Sequence, residues 1–185
     1  MGNLNLLKEP VSLPLRRDDF SSDSPEWNSD IQWESACSFK SFKIFNDIFE
    51  KLLISDGMAP LRNIISFDNQ IIMYAGSVLV RSECKATDFH YDWNEKCNNN
   101  AFTLITPIIH PTDGTNLLYE GNEKANKKYT YEFGRCISFG SKFIHSTDIG
   151  VSSSPSIHLS INLGTDRMQH WEAISKTNAN QGKVH

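Results

Sequence analysis

The sequence predicts an all-β core of jelly-roll type with one or more supporting N-terminal helices, and three observations carry that expectation. First, Phe39, Phe42, Phe45, Ile48, Phe49, Leu52 and Leu53 recur at steps of three and four, the spacing of one apolar helix face, and Asp56-Gly57 closes the run. Second, the chain after Gly57 breaks into short β-type runs: 70–74, 77–81, 87–92, 102–109, 116–119, 129–133, 136–139, 142–145 and 157–163. Turn-forming clusters separate them at 68–69, 75–76, 98–100, 111–114, 121–122, 140 and 152–155, as in a sandwich or barrel. Third, no further helical period interrupts those runs, so a helix followed by about eight strands suits a double-sheet jelly roll. The Phe stripe is expected to pack the helix on a sheet.

Composition sets bounds on function. At 185 residues with 39% apolar and 22% charged residues, the chain suits one globular domain with its own core. A formal net charge of -4 gives no footprint for a nucleic-acid backbone, and the pairs Arg16-Arg17 and Lys127-Lys128 read as solvated surface. No apolar run approaches the roughly 18 residues of a membrane span. The first residues carry neither a signal-peptide pattern nor the hydroxylated residue of a myristoylation motif. Cys37, Cys84, Cys97 and Cys136 are scattered without a Cys-x-x-Cys pair and are expected to be free thiols rather than a zinc knuckle. A soluble, cytoplasmic protein is the expectation. Its division is an irregular arm over 1–36 anchored by Trp27 and Trp33, a single domain over 37–170, and a frayed polar tail over 171–185.

The chemistry concentrates in two places. In Phe89-His90-Tyr91-Asp92-Trp93, strand alternation would place Asp88, His90 and Asp92 on one face and Phe89, Tyr91 and Trp93 on the other. A second histidine, His145, ends a later β-run. Two imidazoles and one carboxylate can occupy one face of an octahedral metal and leave the opposite face open, the arrangement of non-haem Fe(II) oxygenases. A structural His–Asp hydrogen bond is the bland alternative for the His-x-Asp triplet alone. His110 reads as a hairpin end and Trp93 as packing. Tyr129 and Tyr131 share a face and could donate hydrogen bonds to a bound acid. Asn98-Asn99-Asn100 reads as a mobile loop tip bounding a substrate entrance.

The segment from Ser77 to Asp166 resembles the core of the Fe(II)/2-oxoglutarate-dependent dioxygenases, most of all their phytanoyl-CoA-hydroxylase-like branch. The resemblance rests on His90-x-Asp92, the run Gly134-Arg135-Cys136-Ile137-Ser138-Phe139 and His145-Ser146-Thr147, and covers about half the chain. It implies a double-stranded β-helix, with Fe(II) held by His90, Asp92 and His145, 2-oxoglutarate as cosubstrate, and dioxygen. A small organic molecule would be the substrate. Halogenating relatives replace the carboxylate by a small residue, so Asp92 favours hydroxylation or a related C–H oxidation.

One position departs from the family pattern. Where relatives place an Arg beyond the distal His to pair with the far carboxylate of 2-oxoglutarate, this chain has His158, with Ser160 keeping the family's Ser. By strand parity His158, Ser160 and Asn162 share a face. The readings are a protonated His158, a cation from another strand (Lys142, Arg135 or Arg81), or a different cosubstrate. Rival classes are a zinc-dependent hydrolase using the same ligands and a non-catalytic jelly-roll binding module.

Overall fold

A computed structural model describes residues 32–35, 39–121 and 125–181, with side chains described for 43–121 and 125–177. Most of the predicted arm, with Trp27, lies outside the described residues, as do the side chains of Trp33, Phe39 and Phe42. The elements run β1 (Gln32–Ser35), α1 (Phe39–Leu53), α2 (Ala59–Ile64), β2 (Ile72–Cys84), β3 (Ala101–Ile109), β4 (Leu117–Glu120), β5 (Asn126–Tyr129), β6 (Ile137–Phe139), β7 (His145–Thr147), β8 (Gly150–Gly164) and α3 (Trp171–Gln181). Two sheets form, a five-stranded one in the order β1-β2-β8-β3-β6 and a three-stranded one in the order β5-β4-β7. Every pairing is antiparallel. This is the jelly-roll, double-stranded β-helix architecture expected from the sequence.

The large sheet has two chemically opposite faces. On its outer face Phe102 and Leu104 of β3 lie opposite Leu163 and Ile161 of β8. These residues join Phe45, Phe49, Met58, Leu61 and Ile65 of the helical layer in one buried cluster. The apolar stripe of α1 thus covers the sheet as its spacing predicts. Gly76 permits the close approach, because a Cβ there would lie 2.4 Å from Cδ1 of Phe45. The inner face carries Ser77, Leu79 and Arg81 of β2 opposite Ser160, His158 and Ser156 of β8.

Several boundaries differ from expectation. The predicted break at 75–76 is absent, since β2 runs unbroken from Ile72 to Cys84; Gly76 serves the helix contact, not a turn. The Ser-rich stretch at 152–155 also stays within β8. Between the pairs Arg81↔Ser156 and Glu83↔Val151 the register slips, so the extra residues form an irregular bulge rather than a turn. A second supporting helix, α2, falls within the expected one or more, although its position was not read: six residues with Pro60 in the first turn are too few to show a helical period.

Gln32–Ser35, the end of the predicted irregular arm, adds an edge strand to β2. The tail expected to fray contains α3, which inserts Ile174, 1% exposed, among Trp93, Cys97 and Ala101. At the predicted tip, 98–100, Asn98 and Asn99 are exposed, while the carbonyl of Asn100 accepts from the Thr165 amide at 2.9 Å and from the Tyr74 hydroxyl at 3.3 Å. Among the described residues, Cys84, Cys97 and Cys136 are free thiols, and no helix is long and apolar enough to cross a membrane.

Candidate metal centre

His90 does not lie in a strand, contrary to the expectation for 87–92. It forms a single β-bridge with His145, each amide donating to the other's carbonyl at 2.9 and 3.1 Å. The Asp88 amide adds a bond to the Ser146 hydroxyl at 2.8 Å. Three hydrogen bonds therefore fasten a non-sheet segment to β7, itself paired to β4. Strand alternation fails at Trp93 for the same reason: Phe89 and Tyr91 are exposed, whereas Trp93 is 1% exposed and belongs to the interior.

The bridge brings the three expected residues together. Ligand atoms of His90, Asp92 and His145 all lie within 4.8 Å of one another. Asp92 Oδ1 is 3.5 Å from Nε2 of His90 and 3.6 Å from Nε2 of His145. Each imidazole is oriented from behind, His90 Nδ1 lying 2.8 Å from the Asp88 carbonyl and His145 Nδ1 3.3 Å from the Phe143 carbonyl. A carbonyl only accepts, so both Nδ1 atoms carry protons and both Nε2 atoms are turned toward the shared carboxylate. Metal-ligating histidines use this second hydrogen bond to fix tautomer and ring orientation. The donor set, two neutral nitrogens and one carboxylate oxygen, fits a divalent iron with an open face.

The electrostatics suit a cation. Burial opposes a charge on Asp92, but the His90 hydrogen bond, the fields of His145 and His90 and a hydrogen bond from Thr103 outweigh it and hold its pKa below the usual value. Burial likewise pulls His90 down, yet the hydrogen bond and charge of Asp92 leave its pKa raised. Burial dominates at His145, whose pKa falls. Metal entry would displace the remaining imidazole proton, as ligation generally does.

Beside the triad lies a second cluster, built on the inner face of the large sheet. The ring of Tyr131 packs 4.3 Å from that of His158 and 5.4 Å from that of His110. Nε2 of His158 is buried without a hydrogen-bond partner. Arg81, deep in the protein yet keeping some accessible surface, donates to the Thr147 hydroxyl. Tyr131 feels the charges of both Arg81 and Asp92, so this cluster adjoins the triad.

The expectation of a protonated His158 is corrected: burial, reinforced by His110 and Arg81, lowers its pKa to about 3. Burial lowers Arg81 too, but only to about 10, and it remains a cation at neutral pH. The other two candidate cations are elsewhere. Lys142 is exposed, and Arg135 is exposed and paired with Glu132 at 3.1 Å. Ser160 sits on the inner face, 7% exposed. His110, read as a hairpin end, instead packs against His158 at 5.5 Å. Its placement depends on the non-local pairing of β3 with β8, for which the sequence holds no local signal. Tyr131 was legible as a potential donor, although β5 ends before it, at Tyr129.

No family model matches this sequence, and no curated protein matches it. Solved structures do. HygX from Streptomyces hygroscopicus, with nickel and 2-oxoglutarate bound, is 10% identical at a TM-score of 0.55, over 80% of this chain and 78% of HygX. The non-haem alpha-ketoglutarate-dependent carbocyclase SnoK from nogalamycin biosynthesis is 10% identical at a TM-score of 0.55, over 74% of this chain. The epimerase SnoN from the same biosynthesis is 12% identical at a TM-score of 0.51, over 76% of this chain. The chain spans less than two thirds of the nogalamycin enzymes' own lengths, 64% of SnoK and 65% of SnoN. The fold is that of the 2-oxoglutarate–Fe(II) oxygenases.

Proposed function

We propose that this chain is a non-haem Fe(II)- and 2-oxoglutarate-dependent oxygenase that oxidises a C–H bond of a small organic substrate. One observation carries the reading: two imidazoles with their Nδ1 protons committed to carbonyls turn their Nε2 atoms toward one carboxylate. The fold supports it, because the same architecture holds nickel and 2-oxoglutarate in HygX.

His90, Asp92 and His145 would hold the iron, which with the keto acid and dioxygen supplies the oxidising power for C–H cleavage. The rest of the work falls to the chain. Arg81 would pair with the distal carboxylate of 2-oxoglutarate, a guanidinium fork matching a carboxylate in two parallel hydrogen bonds. It reaches this place from β2, the neighbour of β8, so the position vacated by the family Arg is served from the adjacent strand. His158, neutral, offers a further hydrogen bond through the partnerless Nε2, and Ser160 lies on the same face. Tyr131 keeps its proton, since burial raises its pKa, and is available as a donor between Arg81 and the triad.

Anaerobic titration of the protein with Fe(II) and then 2-oxoglutarate tests the proposal. A visible metal-to-ligand charge-transfer band is expected, followed by succinate formation when oxygen is admitted. Tight zinc uptake with no keto-acid band would overturn it in favour of hydrolytic chemistry. Metal indifference would leave only a binding module.

A further inference from the structure

Asp92 and Trp93 are consecutive residues, and both reach the same hydroxyl. The indole N–H of Trp93 donates to Oγ1 of Thr103 at 3.0 Å, and Asp92 is hydrogen-bonded by the Thr103 side chain. Asn162, the cross-strand partner of Thr103, lies 3.2 Å away through Oδ1. Thr103 is 2% exposed and Trp93 1%, so water does not serve these groups. From this convergence we infer that Thr103 is a positioning residue for the metal centre, aiming the Asp92 carboxylate at the two imidazoles.

The donor count supports the assignment. A threonine hydroxyl has one proton and two lone pairs. The Trp93 N–H takes one lone pair, which leaves the proton for either the Asp92 carboxylate or the Asn162 carbonyl. A hydrogen bond to the ionised acceptor is the stronger, so the proton goes to Asp92. Asn162 Oδ1, 3.2 Å from the same hydroxyl, is the competing neutral acceptor. The bond to Asp92 matters because the segment at 90–92 has no sheet ladder of its own beyond one bridge. The carboxylate is steered from β3, which is paired along its length with the central strand β8 and packs against the helical layer. Without that bond Asp92 would be free to turn toward solvent or to present both oxygens, taking up a coordination position that the cosubstrate needs.

The inference rests on the metal-centre reading, and the test separates the two. Co(II) is titrated anaerobically into the whole chain and followed by its visible absorption, with wild type compared against Thr103→Val, Thr103→Ser and Trp93→Phe. Thr103→Val should weaken Co(II) binding by about 10- to 100-fold and change the band shape, while metal-free protein still unfolds cooperatively. Thr103→Ser should restore affinity and spectrum. Trp93→Phe, which keeps the bond to Asp92, should lower the melting temperature with a far smaller change in affinity. Should Thr103→Val not fold, Thr103→Cys replaces it, retaining the size but only a weak donor. Equal Co(II) affinity and spectrum in wild type and the hydroxyl-free variant would overturn the positioning role while leaving the metal centre intact. No Co(II) binding by wild type would instead remove the metal centre itself.

Discussion

The two faces of β8 divide stability from chemistry along a single strand. Leu159, Ile161 and Leu163 point outward into the layer of α1 and α2, and the last two are wholly inaccessible. The alternate residues Ser156, His158, Ser160 and Asn162 point inward toward the second sheet, and three of them are nearly as buried. Equal burial therefore has opposite consequences. On the outer face it removes apolar surface from water, worth roughly 25 cal/mol per Å². On the inner face it desolvates polar groups, which costs free energy unless partners are supplied. The partnerless Nε2 of His158 is such an uncompensated group. The folded state tolerates that loss because the opposite face of the same backbone is so fully packed.

The largest break in this comparison should come from the triad. His145→Ala and Asp92→Ala are each expected to reduce Fe(II) affinity by at least two orders of magnitude, read by anaerobic titration, with cooperative unfolding retained. Asp92→Gly keeps both imidazoles and should let chloride or azide reach the metal while product formation collapses; undiminished turnover in this variant would remove Asp92 from the ligand set.

Next in size is the outer face. Ile161→Ala should cost about 2–5 kcal/mol, seen as a lower urea midpoint, with the Fe(II) and 2-oxoglutarate dissociation constants unchanged in the folded protein. Loss of ligand affinity in proportion to loss of stability would show that the two faces are not separable.

Arg81→Met should raise the 2-oxoglutarate requirement by about 10- to 100-fold, in keeping with roughly 1.5–3 kcal/mol for a charge-assisted hydrogen bond, without displacing iron. Since the pKa of Arg81 stays at about 10, wild-type keto-acid affinity should be flat between pH 6 and 8. A steep decline across that range would return the role to a titrating histidine.

The smallest effect concerns acid stability. His158 titrates at about 3 in the folded protein, against 6.5 for an ordinary histidine. Between these values the unfolded chain holds the extra proton, so stability falls as pH drops from 6.5 toward 3. The slope is at most about 1.4 kcal/mol per pH unit. His158→Phe should flatten this limb in urea unfolding at pH 7 and 5, and an unchanged slope would assign the acid lability to other groups.

Much of this was legible in the chain. The step of three and four from Phe45 to Leu53 gives a helix because burial on one face needs that period, and the structure has it. Alternation along 157–163 separates Leu159 and Ile161 from His158 and Ser160, as the inner and outer faces confirm. Elements held by distant partners were less visible. The His-x-Asp segment looked like a strand from its aromatic alternation, but only His90 pairs, and the pull of the interior on Trp93 breaks the pattern. The helix α3 was missed because its polar sequence has a single deeply buried apolar residue, Ile174, and its contacts are with residues some eighty positions earlier. Turn-rich 152–155 became a bulge since β2 pairs with β8 again beyond it, at Val151 and Gly150.

By itself the sequence determined which residue types could serve a metal, which strand faces are polar, and that a helix shields one sheet. These follow from local covalent periodicity, 3.6 residues per helical turn and two per strand repeat. The tertiary structure alone decided that His90 meets His145 across a single bridge, that Arg81 from β2 rather than Lys142 or Arg135 supplies the buried cation, and that His158 is neutral. Each of those depends on distance and desolvation between segments far apart in the chain. Charge state in a protein is set by the surroundings a residue folds into, and no local pattern carries that information.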